Sequence, residues 1–252
     1  MDFKNKNVLI TGASRGIGKA TAIAFASKGA KVGINFRSRV DEAKKTLAEL
    51  SGEGHRLFQR DISEKEEAKA LIDDFINQYE KIDVLVNNAG IAVSHNIDEA
   101  SFDDWTSAWE TTLQTNLFAA ANLSYLAAQH MLTSGGGHIV NVSSRGAFRG
   151  EPDQPAYGAS KAGLNALSQS LAKKLAPHKI YVGVVAPGFT ETDMATETLT
   201  PDKKENMLKE TPFHRMAKPE EVAHAILFLA SDEAAYSSGT IIDVNGASYL
   251  RS

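Results

Sequence analysis

The sequence predicts an α/β fold in which one open parallel sheet of about seven strands is doubly wound, with helices on both faces, in a single domain over residues 1–252. Three observations lead there. Short β-branched runs alternate with longer helical patterns along most of the chain, which is how βαβ units with strands buried on both faces are written. A glycine cluster, Gly12, Gly16 and Gly18, falls between the first strand and the first helix. Finally, 252 residues exceed the roughly 150 of an average domain, yet no proline-rich linker, low-complexity tract or internal repeat divides them.

Taken in order, "NVLIT" reads as the first strand and "IGKATAIAFASK" as the helix that follows it. "KVGINF" and "VDEAKKTLAEL" repeat the unit, as do "HRLFQRD" and "EKEEAKALIDDFINQY". "VLVNN" is the fourth strand. A long helix covers Trp109 to Met131, a fifth strand His138 to Val142, and another helix begins near Tyr157. "YVGVVAP" and "GTIIDV" complete seven strands. Between Pro187 and Pro219 the alternation breaks, and a stretch at about 188–218 is far longer than the usual roughly 4 to 6 residues of a connection, so it is expected to be a functional or mobile insertion.

Formal charge is −4 with both signs interspersed, which leaves no basic footprint for nucleic acid and no polybasic membrane patch. The absence of cysteine excludes disulfides, thiolate nucleophiles and cysteine-bound zinc. The histidines show no metal-ligand spacing, so no metal site is expected. The start "MDFKNKN" is polar and no run of 18 apolar residues occurs, so the expectation is a soluble cytoplasmic protein whose partners are small molecules or its own copies.

Chemistry concentrates in two places. Tyr157 and Lys161 are four apart, hence on one helix face, and Ser144 ends the strand "HIVNVSS" thirteen residues before Tyr157. A lysine ammonium beside a phenol favours the phenolate, which makes Tyr157 a candidate general acid or base. Ser143 alternates to the other strand face and reads as structural. At the other place, "TGASRGIG" spaces its glycines G-x-x-x-G-x-G where the backbone can approach a pyrophosphate held by a helix N-terminus.

Together these motifs resemble the short-chain dehydrogenase/reductase family, and the resemblance runs over essentially the whole chain. Thr11 to Gly18 is similar to its cofactor turn, Asn87-Asn88-Ala89-Gly90 to its N-N-A-G segment, and Pro187-Gly188 to its turn beside the nicotinamide. Ser144, Tyr157 and Lys161 fall at its catalytic spacing, and Asn116 corresponds to its fourth catalytic residue. The resemblance implies a Rossmann-type fold, hydride transfer between a nicotinamide and a ketone or secondary alcohol, and proton transfer by Tyr157. It also implies that Ser144 donates to the carbonyl oxygen, that Lys161 lowers the tyrosine pKa and binds the nicotinamide ribose, and that Asn116 holds a water linking Lys161 to solvent. "APGFTETDM" and the "FLASDEAAYSSGTIIDVNG" tail bring the chain nearest to 3-oxoacyl-(acyl-carrier-protein) reductases. A non-catalytic cofactor-binding regulatory protein is the alternative, against which the complete tetrad stands.

Cofactor contacts are then expected from Gly12, Ser14, Arg15, Gly16, Ile17, Gly18, Asn88, Ala89, Gly90, Tyr157, Lys161, Pro187, Gly188, Thr190 and Thr192. Where an NAD enzyme places an acid after strand two, this chain has Arg37 and Ser38, with Arg15 as a second cation, which predicts NADP. Asp61 and Ile62 resemble the adenine contacts, with Ser63 free to cap the next helix and leave Asp61 available. The substrate wall is expected from Ser144, Phe148, Arg149, Glu151, Tyr157, Ala92 and Val93, and from Phe189, Met194, Met207, Leu208 and Phe213 of the insertion. Small residues of the Tyr157 helix (Ala159, Ala162, Gly163, Ala166, Ser170) fit the homotetramer that the resemblance implies. Thr133 to Gly137 and Pro177-His178 stand where carrier-dependent members place basic residues, so docking on an acidic carrier protein is expected to be weak.

Overall fold

A computed structural model describes residues 1–192, 205 and 208–251. The elements are β1 (Asn7–Ile10), α1 (Gly16–Ser27), β2 (Lys31–Phe36), α2 (Val40–Glu49), β3 (Arg56–Gln59), α3 (Lys65–Tyr79) and β4 (Val84–Asn87). They continue with α4 (Phe102–Leu113), α5 (Ala119–Ser134), β5 (Gly137–Val142), α6 (Gly146–Arg149), α7 (Pro155–Leu175), β6 (Ile180–Pro187), α8 (Pro219–Leu229) and β7 (Ile241–Val244). One parallel sheet carries all seven strands in the order β3-β2-β1-β4-β5-β6-β7. The chain winds outward from β1 to β3, then returns to β4 and winds the other way. The crevice where this order reverses, at the carboxyl ends of β1 and β4, is where open α/β sheets bind ligands.

The strands are buried because both faces are covered. Val8 and Ile10 of β1, Val84 and Val86 of β4, and Val140 and Val142 of β5 enter one core with Phe25 and Ile226 of α1 and α8. The intervening Leu9, Leu85 and Ile139 point the other way, into a second core with Leu71, Phe75 and Leu123 of α3 and α5. Each such Leu, Ile or Phe, removed from water, contributes about 1.5–3 kcal/mol before the entropy of ordering is subtracted. This alternation is the period of two that a strand imposes, and it fixes which side chains reach the sheet's carboxyl edge.

One element departs from the expected long helix at Trp109 to Met131. It begins earlier, at Phe102, and a π-helical turn at Gln114–Phe118 joins α4 to α5. Such single turns shift the register of a helix locally and occur most often at functional sites. Here the turn carries Asn116. In the insertion, Thr190 pairs with Ala217 in a short parallel bridge, while Met194 and Met207 lie outside the described residues.

Candidate active site

The glycine turn and the N-N-A-G segment are built as one unit, and Thr11 joins them. Its buried hydroxyl accepts the backbone N–H groups of Asn88 and Ala89, both at 3.0 Å. Asn88 returns the contact by donating its side-chain amide to the carbonyls of Thr11 (2.9 Å) and Gly12 (3.1 Å). Gly12 has φ +62°, and a Cβ there would lie 2.9 Å from the Ala89 Cα. A Cβ on Gly18 would meet the Gly12 carbonyl and, at 2.6 Å, the Asn88 amide. Glycine is therefore required at both by space, and at Gly12 also by backbone conformation. The N-cap residue of α1, Arg15, makes no side-chain capping bond, and no acidic residue occupies the first turn. A glycine cradle opening onto the N–H groups at the head of a helix fits a pyrophosphate.

Around this cradle, Thr46 donates to the Ser14 carbonyl (2.9 Å) and a Cβ on Gly16 would touch the Thr192 methyl at 3.1 Å, so Thr192 borders the turn. Arg15 occupies the N-cap position of α1, and Ile17 is the second residue of that helix. Arg37 and Ser38 are exposed just past β2, with the Arg37 side chain 65% accessible. Ile62 is buried in the second core. Asp61 corrects the expectation that it would be free: one oxygen accepts both the backbone N–H (3.1 Å) and the hydroxyl (2.7 Å) of Ser63, and the other lies 3.8 Å from Arg37. A carboxylate followed two residues later by a serine closes such a local turn on its own backbone, and Ser63 supplies no cap to α3.

Ser144, Tyr157, Lys161 and Asn116 converge at the carboxyl edge of β4 and β5. Ser144 accepts the Gly146 N–H (3.0 Å) and hydrogen-bonds the Tyr157 hydroxyl. Lys161 is buried and donates to the Val142 carbonyl at 2.9 Å, with its nitrogen 5.9 Å from the Tyr157 ring centre. The side-chain oxygen of Asn116 and the Lys161 nitrogen both lie 3.3 Å from where a Gly90 Cβ would stand, so Gly90 lets the three segments close. Ser143 faces away, donating to the Lys161 carbonyl (3.3 Å).

Burial and hydrogen bonding set the state of each member of this group. Burial pushes the Tyr157 phenol up from its ordinary value; the Ser144 hydrogen bond opposes this, and the Glu151 charge adds to it. The Lys161 ammonium is turned to the Val142 carbonyl, and burial pushes its own pKa down to about 8. The Asn116 side chain accepts the Ile91 N–H (2.8 Å) and donates to the Ile91 carbonyl (2.9 Å) and to Ser160 (3.1 Å). It pins the loop after β4 across the π turn. The backbone groups it satisfies belong to a distant loop, a pairing that sequence distance hides.

Sequence reasoning missed three structural supports. Asn87 donates to Asn141 (2.8 Å), which donates to Ser168 (2.8 Å), a fully buried polar chain that ties β4 and β5 to α7. His95, buried against Trp105 and Trp109, accepts the Ala156 N–H (3.3 Å) beside Tyr157. Arg145, next to Ser144, is 3% exposed and stacks over the Phe189 ring at 4.2 Å. An Asn alternating into a strand interior was the signal available for the first; nothing local marks the other two.

The turn after β6 is held by Gly188 N–H to the Val244 carbonyl (2.9 Å) and by Arg145 N–H to the Pro187 carbonyl (2.9 Å). Thr190 is buried and donates back to Gly188 (3.3 Å). Phe189 and Phe213 line a cavity of about 660 Å³ with Thr211 and Tyr249. Phe148, half-buried, and Arg149, exposed, lie on α6, and Tyr249 donates to the Phe148 carbonyl (3.4 Å). Among the described residues no helix is long and apolar enough to cross a membrane.

Residues 12–247 match a family model described as Enoyl-(Acyl carrier protein) reductase. The chain is 39% identical over 248 residues to the 3-oxoacyl-[acyl-carrier-protein] reductase FabG of Thermotoga maritima, covering 98% of each. It is 37% identical to the enzyme of that name from Staphylococcus aureus, over 97% of this chain and 98% of the relative. A crystal structure described as a short-chain alcohol dehydrogenase from Sinorhizobium meliloti superposes with a TM-score of 0.90 at 33% identity, covering 98% of this chain and 97% of the other. With this fold, this cradle and these full-length relatives, the chain belongs to the short-chain dehydrogenase/reductase family and is an oxidoreductase acting on CH–OH and carbonyl groups.

Proposed function

We propose that the protein is an NADPH-dependent reductase of a ketone, working as a cytoplasmic homotetramer. The observation that carries the reading is the Ser144–Tyr157 hydrogen bond beside the buried Lys161. When bound, the nicotinamide supplies the hydride. The chain's own residues do the rest: Ser144 and Tyr157 aim hydroxyls at one point, where a carbonyl oxygen gains negative charge as it is reduced. A phenol carries its proton at neutral pH, so Tyr157, hydrogen-bonded to Ser144, has one to give to the oxygen that gains charge in a reduction. Two hydroxyls that converge in this way suit a C=O bond, whose oxygen accepts both, better than the C=C bond named by the family model's description.

Lys161 is placed to hold the cofactor's ribose hydroxyls while Asn116 fixes the loop that carries Gly90 and Ile91. NADP over NAD is supported by Arg37, exposed at the end of β2, and by Arg15 at the head of α1. The tetramer is supported by α7, whose Ala159, Ala162, Ala166 and Ser170 face outward while Leu164 and Ser168 face the sheet. Light scattering at micromolar concentration that shows only monomer would contradict it. The relatives' names favour a second reading, reduction of 3-oxoacyl chains on acyl carrier protein. Against it, Lys173, Lys174 and Lys179 are, among the described residues, the exposed lysines near the end of α7, so we expect free ketones or small thioesters to be turned over at least as well. The test is NADPH oxidation against a ketone panel, repeated with Tyr157→Phe, which should lose at least about 100-fold in kcat with cofactor binding retained. Substantial residual turnover would refute the role of Tyr157.

A further inference from the structure

Two arginines beside Ser144 converge on a single carboxylate oxygen. Arg145 reaches Glu210 Oε2 at 3.2 Å and Arg149 reaches the same atom at 2.8 Å. Arg145 is 3% exposed, yet among the described residues its Nη1 has no hydrogen-bond partner. A stranded N–H on a buried guanidinium is expensive, about 1–3 kcal/mol or more for a charged group. The other carboxylate nearby does not relieve it, since Glu151 lies 3.8 Å from the Nε of Arg149 and burial pushes its carboxyl up toward the neutral form. Burial, reinforced by the like charge of Arg149, also lowers the Arg145 pKa, as expected of a cation short of counter-charge. Arg251 cannot contribute here, because it is paired with Asp243 at 2.7 Å.

The location is as specific as the chemistry. Arg145 is one residue from Ser144, and it stacks on Phe189, which lines the 660 Å³ cavity. Glu210 is 44% accessible at its side chain and comes from the insertion, so it is the member able to swing away. A guanidinium fork matches a carboxylate bidentately, and two forks match one carboxylate with every oxygen lone pair used. As buried ion pairs contribute little net stability, an incomplete one beside reacting groups is poorly explained as scaffolding.

We propose that Arg145 and Arg149 form a carboxylate-binding subsite, that Glu210 is its intramolecular stand-in, and that the substrate is an oxo acid or the matching hydroxy acid. Its carboxylate displaces Glu210 while its carbonyl meets Ser144 and Tyr157. The inference rests on the carbonyl-reductase reading for the second contact only.

The test compares 3-, 4- and 5-oxo acids with their neutral carboxamides, by calorimetric binding to the full protein saturated with NADP⁺ and by NADPH-dependent turnover. At the chain length that fits, the acid should bind about 30-fold more tightly than the amide, as charge-assisted bonds to two guanidiniums imply. Arg145→Met should bring that ratio near one. Glu210→Gln should instead strengthen acid binding about 3-fold or more by removing the competitor, whereas a purely structural ion pair would leave it unchanged or weakened. This variant is half-exposed and carries the test if Arg145→Met does not fold. An acid-to-amide ratio near one at every length, or weakened acid binding in Glu210→Gln, overturns the subsite. Turnover of the amides with no acid preference would leave the reductase reading standing without it. Acid-selective binding with no turnover of any ketone would do the reverse.

Discussion

Thr11→Val tests whether the cofactor cradle is assembled by one hydroxyl. The substitution keeps shape and branching, and removes the oxygen that accepts the Asn88 and Ala89 N–H groups at 3.0 Å each. A buried donor left unpaired costs about 1–3 kcal/mol. Since Asn88 and Ala89 are half-buried, each loss belongs near the low end, and together they come to about 2–3 kcal/mol. A methyl 3.0 Å from two nitrogens is also too close, so the N-N-A-G segment has to move away from Gly12, where Ala89 already limits the space. Urea unfolding should report this loss as a lower midpoint at unchanged slope, equivalent to roughly 4–12 °C in Tm for a chain of this size. NADPH affinity should fall with it. Thr11→Ser keeps the oxygen and loses one methyl, about 1 kcal/mol, with cofactor affinity near that of the parent. If Thr11→Val lies within about 0.5 kcal/mol of the parent, below the cost of one stranded donor, the reasoning is wrong.

Three further outcomes follow from named contacts. Lys161 titrates at about 8 in the fold against 10.5 ordinarily, so between these values the unfolded chain binds more protons and stability rises with pH. The penalty is fully present below pH 8, and relative to Lys161→Met the parent should gain up to about 3 kcal/mol by pH 10.5; parallel stability curves would contradict the buried lysine. His95→Phe keeps the packing on Trp105 and Trp109 but strands the Ala156 N–H at the head of α7, so stability should fall by about 1–2 kcal/mol and kcat should fall more than KM rises; an unchanged kcat would refute a positioning role. Arg37→Asp adds a second carboxylate beside Asp61, so the kcat/KM preference for NADPH over NADH should reverse; equal values for both cofactors in the parent would remove the basis for it.

The strand alternation was legible because each strand is buried on both faces, which demands β-branched runs, and because helices of the intervening lengths must cover them. Glycine spacing likewise exposed the cradle, since Gly12 and Gly18 have no room for a Cβ. The tetrad could be placed by spacing and resemblance, whereas its hydrogen bonds could not. That Asn116 serves Ile91 depends on a π turn, a register shift that a helical pattern conceals. The Lys161 ammonium and Tyr157 share a helix face, yet burial and the Val142 carbonyl, set by β5 packing on α7, decide where the charge points. Arg145 escaped notice because a lone arginine after a strand reads as surface; only the fold of the insertion over it, with Phe189 and Glu210, makes it buried.

Hydride delivery to a carbonyl carbon with proton delivery by Tyr157 is the central claim, and isotope transfer measures it most directly. A ketone panel, oxo acids included, is incubated with both C4 epimers of deuterated NADPH, and the alcohols are analysed by mass spectrometry. The account predicts one deuterium on the carbinol carbon from one epimer only, and loss of product by at least about 100-fold in Tyr157→Phe with NADPH still bound. Alcohol formed without deuterium from either epimer, or formed equally well by Tyr157→Phe, would contradict it.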